Sequence, residues 1–287
     1  MNQGLDSYLD GGTVESELEW TRSRGTAIWT VQRRALLLCA FLLLSTSGCA
    51  KLVPTYEPAE LPVSFVIQKL EQKQNHLVSY RGVGTIRVQE GEKRWSGKVF
   101  LLCHLPQSLR LEVVNMFGQP VLYAASDGSQ FLMWEPGSDR AYGGSASGDT
   151  LAHLIKFPLK DQEALFIMAG TVPPWNHAEP KLFRVHGTDN LMLQLDGARG
   201  EPTQRVWLEG EGLVVTKIER TQGGERQLEA SFSDFVELEG FSYPRSIVME
   251  NGRARLSLRY QEFVINEYLD ENLFHLSLPG GVEIVPW

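Results

Sequence analysis

The chain has 287 residues, 27 of them Lys or Arg and 35 Asp or Glu, for a formal net charge of −8. This acidic balance argues against a nucleic-acid partner, which needs a clustered basic face. Three cysteines in such a length exclude a disulfide-stapled scaffold, so stability has to come from a sizeable hydrophobic core.

Residues 1–30 set Asp6, Asp10, Glu15, Glu17 and Glu19 against Arg22 and Arg24, a net charge of −3. An export leader starts short and positive, so this extension is expected to be absent, with a start at Val31, or to be removed. Residues 31–48 have the layout of a secretory signal peptide: Arg33 and Arg34, an apolar run from Ala35 to Leu44, then Ser45-Thr46-Ser47-Gly48. That run is too short to span roughly 30 Å of hydrocarbon. Cys49, directly after Ser-Gly, makes the segment resemble a bacterial lipoprotein signal. The resemblance implies a diacylglycerol on the Cys49 thiol, cleavage before it, and an N-acyl group on the new amine. The alternative is an ordinary signal peptide with a chance cysteine. Thr46 departs from the pattern, which more often has Leu there. Ala50 stands where inner-membrane lipoproteins often carry Asp, so the resemblance favours the outer membrane, facing the periplasm. More than one acyl chain gives lasting attachment, each buried CH₂ contributing about 0.8 kcal/mol.

The mature chain would be residues 49–287, with 23 basic and 30 acidic side chains once the four basic and five acidic residues of 1–48 are gone. Cys39 leaves with the signal and Cys49 is lipidated, so Cys103 has no partner for an intramolecular disulfide. It is expected on a strand as a small buried apolar residue. Residues 49–62, with Pro54, Pro58 and Pro62, read as an extended tether. One domain then occupies 63–287.

Val63, Val66, Ile67, Leu70 and Leu77 share one face of a helix over 63–77, with Gln68, Lys69, Glu71 and Lys73 on the others. From Tyr80 the period changes to two. Trp95, Gly97, Val99, Leu101 and Cys103 fall on one side of a strand; Leu109, Leu111 and Val113 alternate with Arg110 and Glu112. Further strands are expected near 121–126, 130–135, 181–186, 191–196, 204–209, 213–219, 226–236, 243–250 and 253–260. Asp127-Gly128, Pro136-Gly137, Gly223-Gly224 and Asn251-Gly252 supply turns. The pattern breaks at 149–170, where a helix capped by Asp149 ends at Pro158 and a second runs over 160–170. Leu165 to Ala169 leave that second helix apolar nearly all round, so it should be buried or form a lid. The fold class is mainly β (α+β), with about eleven antiparallel strands. Such a sheet can close on itself or curl into a half-barrel with helices over its concave face.

Several stretches resemble the LolA/LolB lipoprotein-sorting superfamily, in particular its LolB-like outer-membrane receptors. They are Tyr80-Arg81-Gly82 opening the first long strand, the strand from Arg110 ending in Asn115-Met116-Phe117-Gly118, residues 151–170 as paired helices with a central proline and a terminal glycine, and the final strands from Pro244. The resemblance covers nearly all of 63–285. It implies a curved half-barrel whose helices cover an apolar concave face that takes acyl chains, in a monomer receiving acylated lipoproteins or lipids from a LolA-like periplasmic carrier. It also implies that an apolar residue of the 115–118 loop reaches the membrane, Phe117 holding that position with Met116 and Gly118 beside it. Pattern alone leaves Met116 and Phe117 free to fold back into the core.

Trp95, Val99, Leu101, Leu109, Leu111 and Val113, with Leu165, Phe166 and Met168, are the candidate acyl-binding residues; a filled core has the same pattern. Met is adaptable and suits a variable apolar ligand. No enzyme chemistry, cofactor or metal is expected. The six histidines lack zinc-ligand spacing. Adjacent Cys103 and His104 point to opposite faces of their strand. The run Gly143–Gly148 lacks the Lys-Ser/Thr ending of a phosphate loop and reads as a linker. Other readings consistent with the pattern are handling of a different lipid, or a structural subunit of an envelope complex.

Overall fold

A single open sheet threads the whole described chain, and its two halves are joined where the last long strand returns to the first. The computed structural model describes residues 54–286 except 147, 152–156, 177–178 and 199–200. The expected leader, signal and Cys49, and most of the helix expected before Pro158, lie outside the described residues. The described strands are β1 Tyr56–Pro58, β2 Ser79–Glu90, β3 Lys93–His104, β4 Ser108–Val114, β5 Pro120–Ser126, β6 Gln130–Trp134, β7 Arg140–Ser145, β8 Lys181–Val185, β9 Leu191–Asp196, β10 Thr203–Glu209, β11 Val214–Gln222, β12 Glu225–Leu238, β13 Phe241–Glu250, β14 Ala254–Ile265 and β15 Glu283–Pro286. They lie in the order β1-β8-β9-β10-β11-β12-β13-β14-β2-β3-β4-β5-β6-β7-β15. Every junction is antiparallel except β7–β15, which is parallel.

The sheet has fifteen strands rather than about eleven. Part of the excess lies where composition hides it. Residues 56–58, read as tether, form β1 and pair with 183–185 of β8. The glycine-rich run begins inside β7, where fully buried Ala141 and the backbone of Gly143 and Gly144 pair with β6. Short strands of small residues carry no periodic signal, so only pairing reveals them. β14 also continues to Ile265, past an irregularity between Tyr260 and Glu262 that puts Phe263 and Ile265 back among the buried residues.

Among the described residues, two α-helices lie on the concave face. Helix α1, Val63–His76, sends fully buried Val66 into the core while Val63, Ile67 and Leu70 pack at its margin. Lys73, expected on a solvated face, is buried instead. Its Nζ donates to the carbonyls of Gly170 (2.9 Å) and Ser242 (2.6 Å) and lies 4.7 Å from the centre of the Tyr243 ring. Helix α2, Asp161–Met168, buries Ala164 to Met168. It ends in a Schellman motif: Gly170, at φ +66°, donates to Ile167 O, and Thr171 N donates to Phe166 O. A Cβ on Gly170 would run into the Pro244 ring, so glycine is needed there for space as well as conformation.

The core is continuous from α1 through α2 to the inner faces of β2–β4 and β9–β14, with a satellite at Ala124, Phe131 and Met133. It belongs entirely to one compact unit, Pro54–Trp287. That unit therefore carries the sheet, helices and apolar interior that a self-folding domain needs.

Candidate functional site

The β4–β5 turn, residues 115–119, is held by its own first side chain. Asn115 Oδ1 accepts from the backbone N–H of Phe117 (2.9 Å) and of Gln119 (3.1 Å), and Gly118 N donates to Asn115 O at 3.0 Å. Gly118 takes φ +78° with open space around it. The local hydrogen bonds fix the turn so that Met116 (88% exposed) and Phe117 (81%) project outward. Both side chains therefore stand clear of the core. Two large adjacent apolar side chains this exposed, on a hydrogen-bonded turn, carry a hydration cost that contact with an apolar phase would relieve.

The proposed acyl-binding residues divide. Val99, Leu101, Leu109, Val113, Leu165, Phe166 and Met168 are brought together as buried neighbours in one cluster, and half-buried Leu111 packs against it. Trp95 is not among them. It follows the inward alternation of β3 but lies near the 91–92 turn, outside the cluster and 47% exposed. Alternation fixes the face of a residue and is silent on whether anything covers it.

Helix α2 plugs the concave face through several separate ties. Tyr80 Oη donates to Leu165 O and Tyr260 Oη to Met168 O, each at 2.9 Å, and Lys73 holds Gly170 O. The Tyr260 ring lies over Gly82, where any Cβ would collide with it. At the helix start, the Arg220 guanidinium donates to both Glu163 oxygens, at 3.1 and 3.0 Å, and to Gln204 Oε1 at 3.1 Å. Arg220 is stacked 4.3 Å from the Trp175 ring centre and is only 4% exposed.

This polar island on an apolar face was not anticipated from the sequence. Gln204 shares the inward alternation of Val206 and Leu208, and Arg220 that of Ile218. A buried position filled by a polar residue within an otherwise alternating strand is the signal that could have found it. Trp175 Nε1, Gln204 Nε2 and Arg220 Nε are buried without an acceptor among the described residues.

Beside this island runs a groove of about 220 Å³ between α1 and the segment Val172–Trp175, floored by Leu193 and Leu195 of β9. A second depression of about 300 Å³ lies along α1 next to Lys73, Leu213 and Phe241. Burial lowers the Lys73 pKa from its ordinary value to about 8, opposed by nearby Glu237. Burial raises the Tyr80 and Tyr260 hydroxyls well above the usual phenol range, with coulombic contributions from Cys103. The Cys103 thiol is also pushed up by burial, which keeps it protonated and inert. Its neighbour His104 is exposed on the other face, as the alternation requires.

No protein-family model matches the chain, and no curated protein matches it. Among solved structures, a LolA superfamily protein from Nitrosomonas europaea superposes with a TM-score of 0.52 at 13% identity, covering 75% of this chain and 98% of the other. A structure described as an outer membrane lipoprotein-sorting protein domain, from Vibrio parahaemolyticus, gives 0.51 at 12% identity, covering 73% and 94%. A DUF1329 family protein from Desulfovibrio piger gives 0.51 at 11% identity, covering 75% and 97%. At such identities the likeness is one of architecture, and it establishes that this chain has a LolA-like fold: an open, curved antiparallel sheet with helices on its inner side.

Proposed function

We propose that the protein is a lipid-anchored envelope protein of the outer membrane that binds acyl chains on the concave side of its half-barrel and helps pass acylated lipoproteins into the bilayer. The observation that carries this reading is the hydrogen-bonded turn at Met116 and Phe117, two exposed apolar side chains where β4 meets β5 in a LolA-like sheet. In this reading Cys49 holds the domain at the membrane and the turn enters the acyl region. The concave side then accepts the client's chains, along the groove beside Trp175 and beneath α2, where Val99, Leu101, Leu109, Leu111 and Val113 face Leu165, Phe166 and Met168. The mechanism is exchange between apolar surfaces, with no bond broken. A periplasmic carrier of the same fold is the proposed donor.

The test uses the domain from Ala50 onward, mixed with a carrier loaded with an acylated lipoprotein and with acceptor vesicles. Transfer of the client to this protein and onward to vesicles is the expected result. With Phe117→Glu, uptake from the carrier should persist and delivery to vesicles should stop. If the folded domain takes no client at all, the receptor reading is lost; if Phe117→Glu delivers normally, the turn has no part in it.

A further inference from the structure

The end of the sheet that carries the Phe117 turn also carries a basic outer face. Ala254 pairs with Glu90 and Glu90 with Lys93, so the 251–253 and 91–92 turns share one rim; the 115–119 turn opens toward the same end from further back, Val114 pairing with Lys98 on β3. On the outward face, Arg255 and Arg94 lie opposite Gln89 on either side, and Ser257 and Ser96 flank Arg87. Neighbouring strands are about 4.8 Å apart, so Arg94 and Arg255 stand about 10 Å apart with Arg87 between them and one row back. Together with Val88 and Trp95 at the same level of β2 and β3, they line a depression of about 450 Å³.

Arg87 and Arg94 are exposed and have no ion-pair partner among the described residues. Lys93 and Arg253 extend the same charge to the rim, and Lys98 lies over the Phe100 ring at 4.9 Å. The acids nearby are Glu90 and Glu92 in the hairpin, Glu250, which pairs with Arg255, and Asp234, which pairs with Arg245 and Arg259. A chain of net charge −8 thus gathers basic side chains, Arg87 and Arg94 among them without an ion-pair partner in the described residues, toward the end of the sheet where Met116 and Phe117 are exposed. Cations next to apolar residues that seek hydrocarbon are what an anionic lipid surface recognises.

We propose that the outer face of β2, β3 and β14 is an anionic-lipid docking site, seating a lipid phosphate between Arg87, Arg94 and Arg255 while Met116 and Phe117 enter the acyl layer. It rests on the reading above only in that the 115–119 rim faces the bilayer. The experiment is sedimentation of the domain from Ala50 with vesicles of phosphatidylcholine alone, or with about a third phosphatidylglycerol. Each basic residue at such a surface strengthens partition about fivefold, so Arg87→Gln with Arg94→Gln should weaken binding to the anionic vesicles about thirtyfold. Arg87→Lys with Arg94→Lys should stay within about threefold of the parent, because the charge is kept. Equal or absent binding to the two compositions, or a glutamine pair within about threefold of the parent, overturns the site. Phe117→Glu is the separate arm. If it binds anionic vesicles as the parent does while the glutamine pair does not, the turn reading fails and the basic site stands.

Discussion

Glu163→Gln should destabilise the domain by about 3 kcal/mol, more than its half-conservative chemistry suggests. The side chains of Arg220 and Glu163 are 5% and 12% exposed, so both charges of the pair are largely out of water. Breaking such a pair from one side costs about 3–5 kcal/mol, because the remaining charge is left uncompensated. Glutamine keeps one acceptor oxygen for the guanidinium, which places the cost at the lower end. Arg220 cannot swing out to recover hydration, since it is stacked under Trp175 and bonded to fully buried Gln204. Arg220→Met should cost less than Glu163→Gln, because the orphaned carboxylate sits at the start of α2 with more access to solvent and methionine refills much of the space. The double variant Glu163→Leu with Arg220→Met should return to within about 1.5 kcal/mol of the parent. Urea unfolding followed by tryptophan fluorescence measures all of these. With a slope of about 3 kcal/mol per molar, Glu163→Gln shifts the midpoint by about 1 M. A shift under about 0.3 M would mean that the pair is solvated in solution, and α2 would not be docked as described.

Phe117→Glu should leave stability within about 0.5 kcal/mol, the range for an exposed residue outside any packed contact, and a fall of 2 kcal/mol or more in urea would place Phe117 in the core after all. Tyr260→Phe removes the hydroxyl that serves Met168 O and leaves a buried carbonyl unpaired, at about 1–2 kcal/mol; Gly82→Ala, which drives a methyl into that same ring, should cost at least as much in thermal unfolding. Lys73 gives a pH signature. Its folded pKa near 8 lies below the unfolded value of 10.5, so between these the unfolded chain holds the extra proton and stability rises with pH, by on the order of 2 kcal/mol from pH 8 to 10. Above about pH 10 the raised Tyr80 and Tyr260 act in the opposite sense, their stabilisation fading as the unfolded phenols ionise. Lys73→Met should abolish the rise below pH 10, and a parent protein whose stability stays flat over that interval would show that Lys73 is solvated.

Alternation and turn residues made most of this fold legible. The strands from Tyr80 to Val114 and the Asn251-Gly252 hairpin lie where a period of two and a positive-φ turn put them. The terminal strands β1 and β15 were not legible, since three or four residues at a sheet edge hold no period and exist only through pairing. Burial was readable by face but not by depth, so Trp95 and Leu101 look alike in sequence although one is 47% exposed and the other 1%. The turn at Asn115 left two readings open, and the Asn115 side chain decided between them by bonding to the turn instead of to solvent. Lys73 and Arg220 were hidden for a related reason. A long cationic side chain reads as surface until its acceptors, here carbonyls of Gly170 and Ser242 or the Glu163 carboxylate, arrive from distant sequence.

In the proposed function, those two cations also bear on how the concave face would accept a chain. Reaching the residues beneath α2 means giving up the Tyr80, Tyr260 and Lys73 bonds to its C-terminal carbonyls and the Arg220–Glu163 pair at its start. At about 1 kcal/mol or more for each hydrogen bond, and more for the charged pair, displacement starts at least 4 kcal/mol uphill before any apolar contact is lost. The groove between α1 and Val172–Trp175 asks for none of this: it is already open, and Leu193, Leu195 and Trp175 are among the residues that line it. An acyl chain that first lies along this groove gains apolar contact at about 25 cal/mol per Å², so roughly 160 Å² of new burial offsets that threshold. Entry at the α1 groove followed by displacement of α2 is therefore the order the energetics favour, and Trp175, stacked on the arginine that holds α2, is the residue through which the two steps would be coupled.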